Sequence, residues 1–104
     1  DYDDLDFPKR GGIWQSQLHI YQIPFYYIDY TLAQICAFQF WSKFNQDRAT
    51  AWKDYHKLCK AGGSCSFIEL LKIADLKSPF EPGVLTNVVS EIWEWLSSVD
   101  VKKL

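Results

Sequence analysis

Residues 23–41 read IPFYYIDYTLAQICAFQFW, and the reading of this stretch decides the fold. Its length suits a membrane span, which needs about 20 apolar residues. Its composition does not. Asp29, Gln34 and Gln39 lie inside it, and an Asp at mid-span costs about 2.5–3.5 kcal/mol on insertion scales. Its Tyr and Trp residues favour interfaces over a bilayer centre. A buried helix is expected instead, from about Phe25 to Phe44. Pro24 suits the first turn of that helix, where its missing N–H is not needed. The polar residues scatter around the wheel, so the helix has no clean solvent face and should be buried on all sides. Such a helix is about 30 Å long, and 104 residues leave little chain to surround it. The chain is therefore expected to be a piece of a larger protein. The absence of Met from a chain opening on Asp1 points the same way.

C-terminal to this stretch the pattern stays helical. Asn45 or Asp47 can cap a helix over roughly 47–60, with Ala51, Trp52, Tyr55, Leu58 and Cys59 on its inner face. Gly62 or Gly63 fits its end. Ser66 and Glu69 form an S-x-x-E capping box that opens a short helix, whose apolar side is Phe67, Leu70, Leu71 and Ala74. The segment LKSPFEPG reads as turn. A last helix spans about 84–99, with Leu85, Val88, Val89, Ile92, Trp93, Leu96 and Val99 as its stripe. N-terminal to the central stretch, residues 13–22 alternate apolar and polar as in extended chain, and residues 1–12 look like loop. The expected fold class is all-α. Residues 1–23 form a loop or extended lead-in, and 24–104 form helices.

Composition narrows the function. The chain is 48% hydrophobic, 17% aromatic and 23% charged, as a core-forming polypeptide is. A net charge of -2 excludes the cationic field that non-specific nucleic-acid binding needs. No nucleic-acid and no membrane partner is expected. Three cysteines cannot pair completely, and the N-terminus has no signal-peptide pattern, so the expected setting is cytoplasmic.

No HExxH, Walker loop, GxSxG or paired CxxC occurs. Three partial constellations remain. His19 precedes Tyr26, Tyr27 and Tyr30. In a helix starting near Pro24, Tyr26 and Tyr30 share a face and Tyr27 points about 100° away. An imidazole and two phenols converging on one spot would donate hydrogen bonds to a developing oxyanion. The same rings could equally be aromatic packing. His56, Cys59 and Cys65 are soft ligands, but H-x2-C-x5-C matches no standard zinc spacing, and Cys59 with Cys65 could instead pair across the Gly62-Gly63 turn. The acidic run Asp1, Asp3, Asp4 and Asp6 reads as a solvated charge cluster.

Residues 11–41, GGIWQSQLHIYQIPFYYIDYTLAQICAFQFW, resemble the C-terminal catalytic region of oligoendopeptidase F, in the thimet-oligopeptidase-like family of zinc metallopeptidases. Residues 55–66, YHKLCKAGGSCS, and 66–85, SFIELLKIADLKSPFEPGVL, resemble the closing segment of that family. The resemblance covers roughly residues 10–90, and its specific part runs from His19 through Pro24-Phe25-Tyr26 to Tyr30. It implies a mostly helical zincin-type peptidase with a deep channel for oligopeptides. It also implies zinc held by the two His of HExxH and a downstream Glu, with the Glu of that motif activating water. His19 then matches a substrate-facing His, and Tyr30 the oxyanion Tyr. Tyr26 is a second substrate-facing residue, with Tyr27 in its place if the register slips by one.

The zinc-binding half is missing, so no metal ligand is expected in this chain and no activity from it alone. The implied partners are an oligopeptide substrate and the missing N-terminal part of the same enzyme. The competing reading is a non-catalytic helical module that binds a partner through its many Trp and Tyr residues.

Overall fold

The computed structural model describes residues 4–100. Among these, every regular element is helical. The order is α1 (Asp6–Lys9), a 3₁₀ helix (Gly12–Ser16), α2 (Leu18–Gln22), α3 (Ile28–Gln46), α4 (Arg48–Ala61), α5 (Phe67–Ile73) and α6 (Val84–Ser98). The all-α expectation holds. The chain divides into two compact units, Asp1–Thr31 and Leu32–Leu104. No helix of the described residues is long and apolar enough to cross a membrane.

In the first unit the expected loop and extended lead-in is corrected. Residues 6–22 are mostly short helical turns, none opened by a side-chain cap. The apolar–polar alternation of 13–22 belongs to a 3₁₀ helix followed by about one and a half turns of α-helix, not to extended chain. Gly11, at φ +81°, lets the chain reverse between α1 and the 3₁₀ helix. Trp14 stacks on Tyr21 with ring centroids 6.3 Å apart. Of the acidic run, Asp4 and Asp6 are exposed, Asp6 pairing with Arg10 at 3.5 Å, while Asp1 and Asp3 lie outside the described residues.

The second unit is built around Phe40, Leu71, Ala74 and Leu76, with Cys36, Phe44, Leu58 and Phe67 packed against them. Helix α4 opens where expected: the Asp47 carboxylate accepts from the Ala49 and Thr50 N–H groups, at 3.0 and 3.2 Å. It closes at Gly62, whose φ of +53° with ψ of -134° is glycine territory. Helix α5 carries the full Ser66–Glu69 capping box. It ends in a Schellman motif, with Leu76 N–H donating to Leu71 C=O and Asp75 N–H to Lys72 C=O, Asp75 taking the left-handed position at φ +51°.

Two polar devices tie α3 to α4 and to the segment after α5. The Gln39 side chain is 8% exposed and pairs with the Lys77 backbone in both directions, at 2.9 and 3.0 Å. Lys43 reaches Asp54 at 2.7 Å and Asp75 at 2.9 Å, and also donates to the Asp75 carbonyl. Asp54 is 4% exposed and takes a second ammonium, Lys57, at 2.8 Å.

Two expected helix faces are corrected. On α4 the buried residues are Ala51 and Asp54, with Leu58 half-buried, while Trp52, Tyr55 and Cys59 are exposed. Asp54 turns inward because two lysines meet it, which rotates the inner face away from the apolar count. On α6 only Val84 and Val88 are buried, and Leu85, Val89, Trp93 and Leu96 stand exposed. Helix α3 likewise buries only Ile35, Gln39 and Phe40 within this chain, so it is not covered on all sides.

The Asp54 pair sets a pH window. Hydrogen bonds from Lys43, then Lys57, hold its carboxyl below the usual carboxylate range despite its burial. A depressed acid contributes stability above its unfolded pKa, about 3.9, and loses it as pH falls through the folded value. Asp47 and Glu69, whose carboxyls are lowered by hydrogen bonds from Thr50 and Ser66, titrate in the same direction. Urea-unfolding midpoints should therefore drop steeply below about pH 4, and Asp54→Asn should flatten that slope. An unchanged slope in the variant removes Asp54 from the effect.

Candidate active site

The site grows from one turn. Helix α2 closes as the Ile23 N–H donates to the His19 carbonyl at 3.2 Å. Ile23 then starts a turn, its carbonyl accepting from the Tyr26 N–H at 3.2 Å, with Pro24 and Phe25 at the corners. Phe25 has φ +70°. A positive φ at the third position is what a type II turn requires and what Gly or Asn normally supplies. For a bulky residue it costs about 1–3 kcal/mol. The Tyr26 carbonyl next accepts from the Asp29 N–H at 3.1 Å, which launches α3.

This turn folds the tyrosines back over His19. The His19 ring lies 5.9 Å from Tyr26, nearly parallel at 14°, 5.5 Å from Tyr27 at 41°, and 5.7 Å edge-on from Tyr30 at 73°. Tyr30 in turn lies 5.6 Å from Tyr26 and 5.7 Å from Tyr27. All four residues singled out in the sequence are together. The placement of Tyr27 is corrected: it does not point away. Helix α3 starts at Ile28 rather than at Pro24, so Tyr26 and Tyr27 precede it and wheel geometry does not govern them. The sequence could not separate the two roles of Pro24, because a helix's first turn and a turn corner both want φ near -65° and no N–H.

The three tyrosines are partly open to solvent, Tyr26 and Tyr27 each 44% and Tyr30 51% exposed. His19 Nδ1, by contrast, is buried and has no hydrogen-bond partner. A small cavity of about 90 Å³ is lined by Leu18, His19, Gln22 and Ile23. A hydrogen bond with Tyr26, reinforced by the neighbouring phenols and Asp29, raises the Tyr30 pKa above the ordinary tyrosine value. Tyr30 thus stays a protonated donor across the neutral range. Chemically, the arrangement gathers three phenol rings and an imidazole side by side, groups that can donate hydrogen bonds to a developing negative charge.

No group of three His, Cys, Asp or Glu side chains gathers among the described residues. His56, Cys59 and Cys65 do not form such a group, and Cys36, Cys59 and Cys65 are free thiols. The Cys59–Cys65 pairing is therefore not made. The neighbouring Cys59 thiol raises the Tyr55 pKa. Burial raises the Cys36 thiol.

The described residues form an all-helical segment that carries this ring cluster. Three solved structures show the family to which it belongs. The chain is similar over 100% of its length to a 3.1 Å X-ray structure of an oligoendopeptidase F, with 60% identity and a TM-score of 0.85. It matches Pz peptidase A bound to an inhibitor over 96% of its length, with 57% identity and a TM-score of 0.83. It matches an oligoendopeptidase F from Bacillus anthracis over 93%, with 48% identity and a TM-score of 0.75. The chain is an oligoendopeptidase F-like segment. It spans 18% of each of those chains. No protein-family model and no curated protein matches it.

Proposed function

We propose that the chain is the C-terminal part of the catalytic domain of a cytoplasmic zinc metalloendopeptidase that hydrolyses oligopeptides. Tyr30 and His19 donate hydrogen bonds to the oxyanion that forms on the scissile carbonyl, and Tyr26 and Tyr27 contact the substrate. The single observation that carries this reading is the packing of three phenol rings around His19, at 5.5–5.9 Å. Homology to oligopeptidases supports it. The described residues do not fit a zinc site; the zinc of such an enzyme is held by the rest of the polypeptide. Three free thiols support a reducing compartment.

Tyr30 supplies a neutral phenol whose proton is shared with the forming oxyanion, not transferred outright. Tyr26, edge-on to Tyr30 with ring centroids 5.6 Å apart, limits how that ring can turn. His19, held by the ring stack, presents its imidazole beside it.

The exposed stripe of Leu85, Val89, Trp93 and Leu96 favours a second reading, a non-catalytic module that docks a partner. One experiment separates the two. The chain alone and the full-length polypeptide that carries it are each incubated with a quenched fluorogenic oligopeptide, with and without a zinc chelator. The full-length protein is expected to cleave and the chelator to stop it, while the chain alone leaves the peptide intact. A full-length protein that cleaves nothing decides for the module.

A further inference from the structure

Burial carries further than exposure in a chain that spans 18% of its matches. Added polypeptide can cover an exposed group, but it cannot reach an atom that the chain already encloses. His19 Nδ1 is such an atom, the one buried side-chain nitrogen or oxygen without a hydrogen-bond partner among the described residues. The rings of Tyr26, Tyr27 and Tyr30 stand 5.5–5.9 Å from the imidazole, and Gln22 shares a small cavity with it, yet none of them bonds Nδ1. A neutral imidazole carries its proton on one nitrogen and leaves the other bare. Which nitrogen is protonated is ordinarily set by the hydrogen bond that the other makes. Here enclosure sets it instead. A buried donor without an acceptor gives up its bond to water and gains none. Backbone N–H groups left in that state are rarer than under-satisfied carbonyls, and the same asymmetry favours a bare Nδ1. We infer, on the peptidase reading of the cluster, that His19 is held as the Nε2–H tautomer and serves only as a hydrogen-bond donor through Nε2. In this form Nε2 already holds a proton, so it takes none from water or substrate, and Nδ1 has no partner to which a proton could pass. His19 stabilises the oxyanion with a proton that it keeps, and the proton that the leaving amine takes up comes from another group of the enzyme.

Two amide substitutions in the full-length polypeptide tell the nitrogens apart. The side-chain nitrogen of Gln stands as many bonds from the backbone as Nε2, and that of Asn as many as Nδ1, and both donate without titrating. On a quenched oligopeptide, His19→Gln is expected to keep kcat within about tenfold of the wild type, while His19→Asn loses about 10²–10³, the size of one missing oxyanion donor. An Asn variant at least as active as the Gln variant overturns the inference. A spectrum of the wild type decides the same point without relying on either variant's activity. In full-length protein labelled with 15N-histidine, at about pH 8, where an ordinary histidine is neutral, the signals lost in His19→Gln belong to His19. They should show Nε2 as the protonated nitrogen and Nδ1 as the bare one. A protonated Nδ1, or an average of the two tautomers, overturns the inference. A wild type that cleaves nothing overturns the peptidase reading and the donor role with it, while the nitrogen spectrum still decides the tautomer.

Discussion

Replacing Tyr30 with Phe in the proposed full-length peptidase is expected to lower kcat by about 10²–10³ with little change in KM, the size of effect seen when one oxyanion donor is removed. The substitution deletes a hydroxyl and nothing else. The ring stays packed 5.6–5.7 Å from Tyr26, Tyr27 and His19, so the cluster keeps its shape. The donor matters only as charge develops on the substrate oxygen, which is why binding of the ground state is spared. The wild-type pKa sharpens the test. Its hydrogen bond with Tyr26 raises the Tyr30 pKa, so any alkaline loss of kcat that belongs to Tyr30 should fall above about pH 10 and be absent from the variant. Tyr27→Phe is the companion measurement, since Tyr27 is as close to His19 as Tyr30 is. Steady-state kinetics on one oligopeptide suffice, and an unchanged kcat in Tyr30→Phe removes that residue from the oxyanion role.

Legibility in the sequence tracks the strength of local signals. Helix α5 announces itself through Ser66 and Glu69, because a capping box satisfies backbone donors with side chains visible in the text. Asp47 does the same for α4. The turns over residues 6–22 carry no such side-chain caps, so nothing distinguishes them from loop. Asp54 is unreadable for another reason. A carboxylate at an inner position is expected on the solvent side, and only the arrival of Lys43 from α3, with Lys57, makes its burial tolerable. At the site, the residue set His19, Tyr26, Tyr27 and Tyr30 is legible, while its geometry is not. The strained corner at Phe25 belongs to a turn that sequence rules assign to Gly or Asn.

Phe40→Ala should be the most damaging change to the fold of the chain itself. Phe40 is 7% exposed and packs with Leu71, Ala74 and Leu76, where α3 and α5 meet. Its ring also stands edge-on to Tyr55 at 5.4 Å, tying in α4. Beside it runs an apolar groove of about 340 Å³, lined by Cys36, Leu58 and Phe67 among others. Truncation enlarges that groove instead of leaving a void the neighbours can close. Loss of a core Phe costs about 3–5 kcal/mol, against about 5–15 kcal/mol for a whole domain. With a urea m-value of about 1–3 kcal/mol/M, the unfolding midpoint should fall by at least about 1 M. Trp93→Ala supplies the contrast. Trp93 is the larger side chain, but it is 71% exposed, so its loss should change the stability of the isolated chain by no more than about 0.5 kcal/mol. In the proposed full-length polypeptide the order should narrow, because a stripe that is bare in this chain gains a cover there. A Trp93→Ala effect equally small in both settings would mean the α6 stripe stays exposed in the full-length protein, and the docking-module reading would then gain the support that the peptidase reading loses.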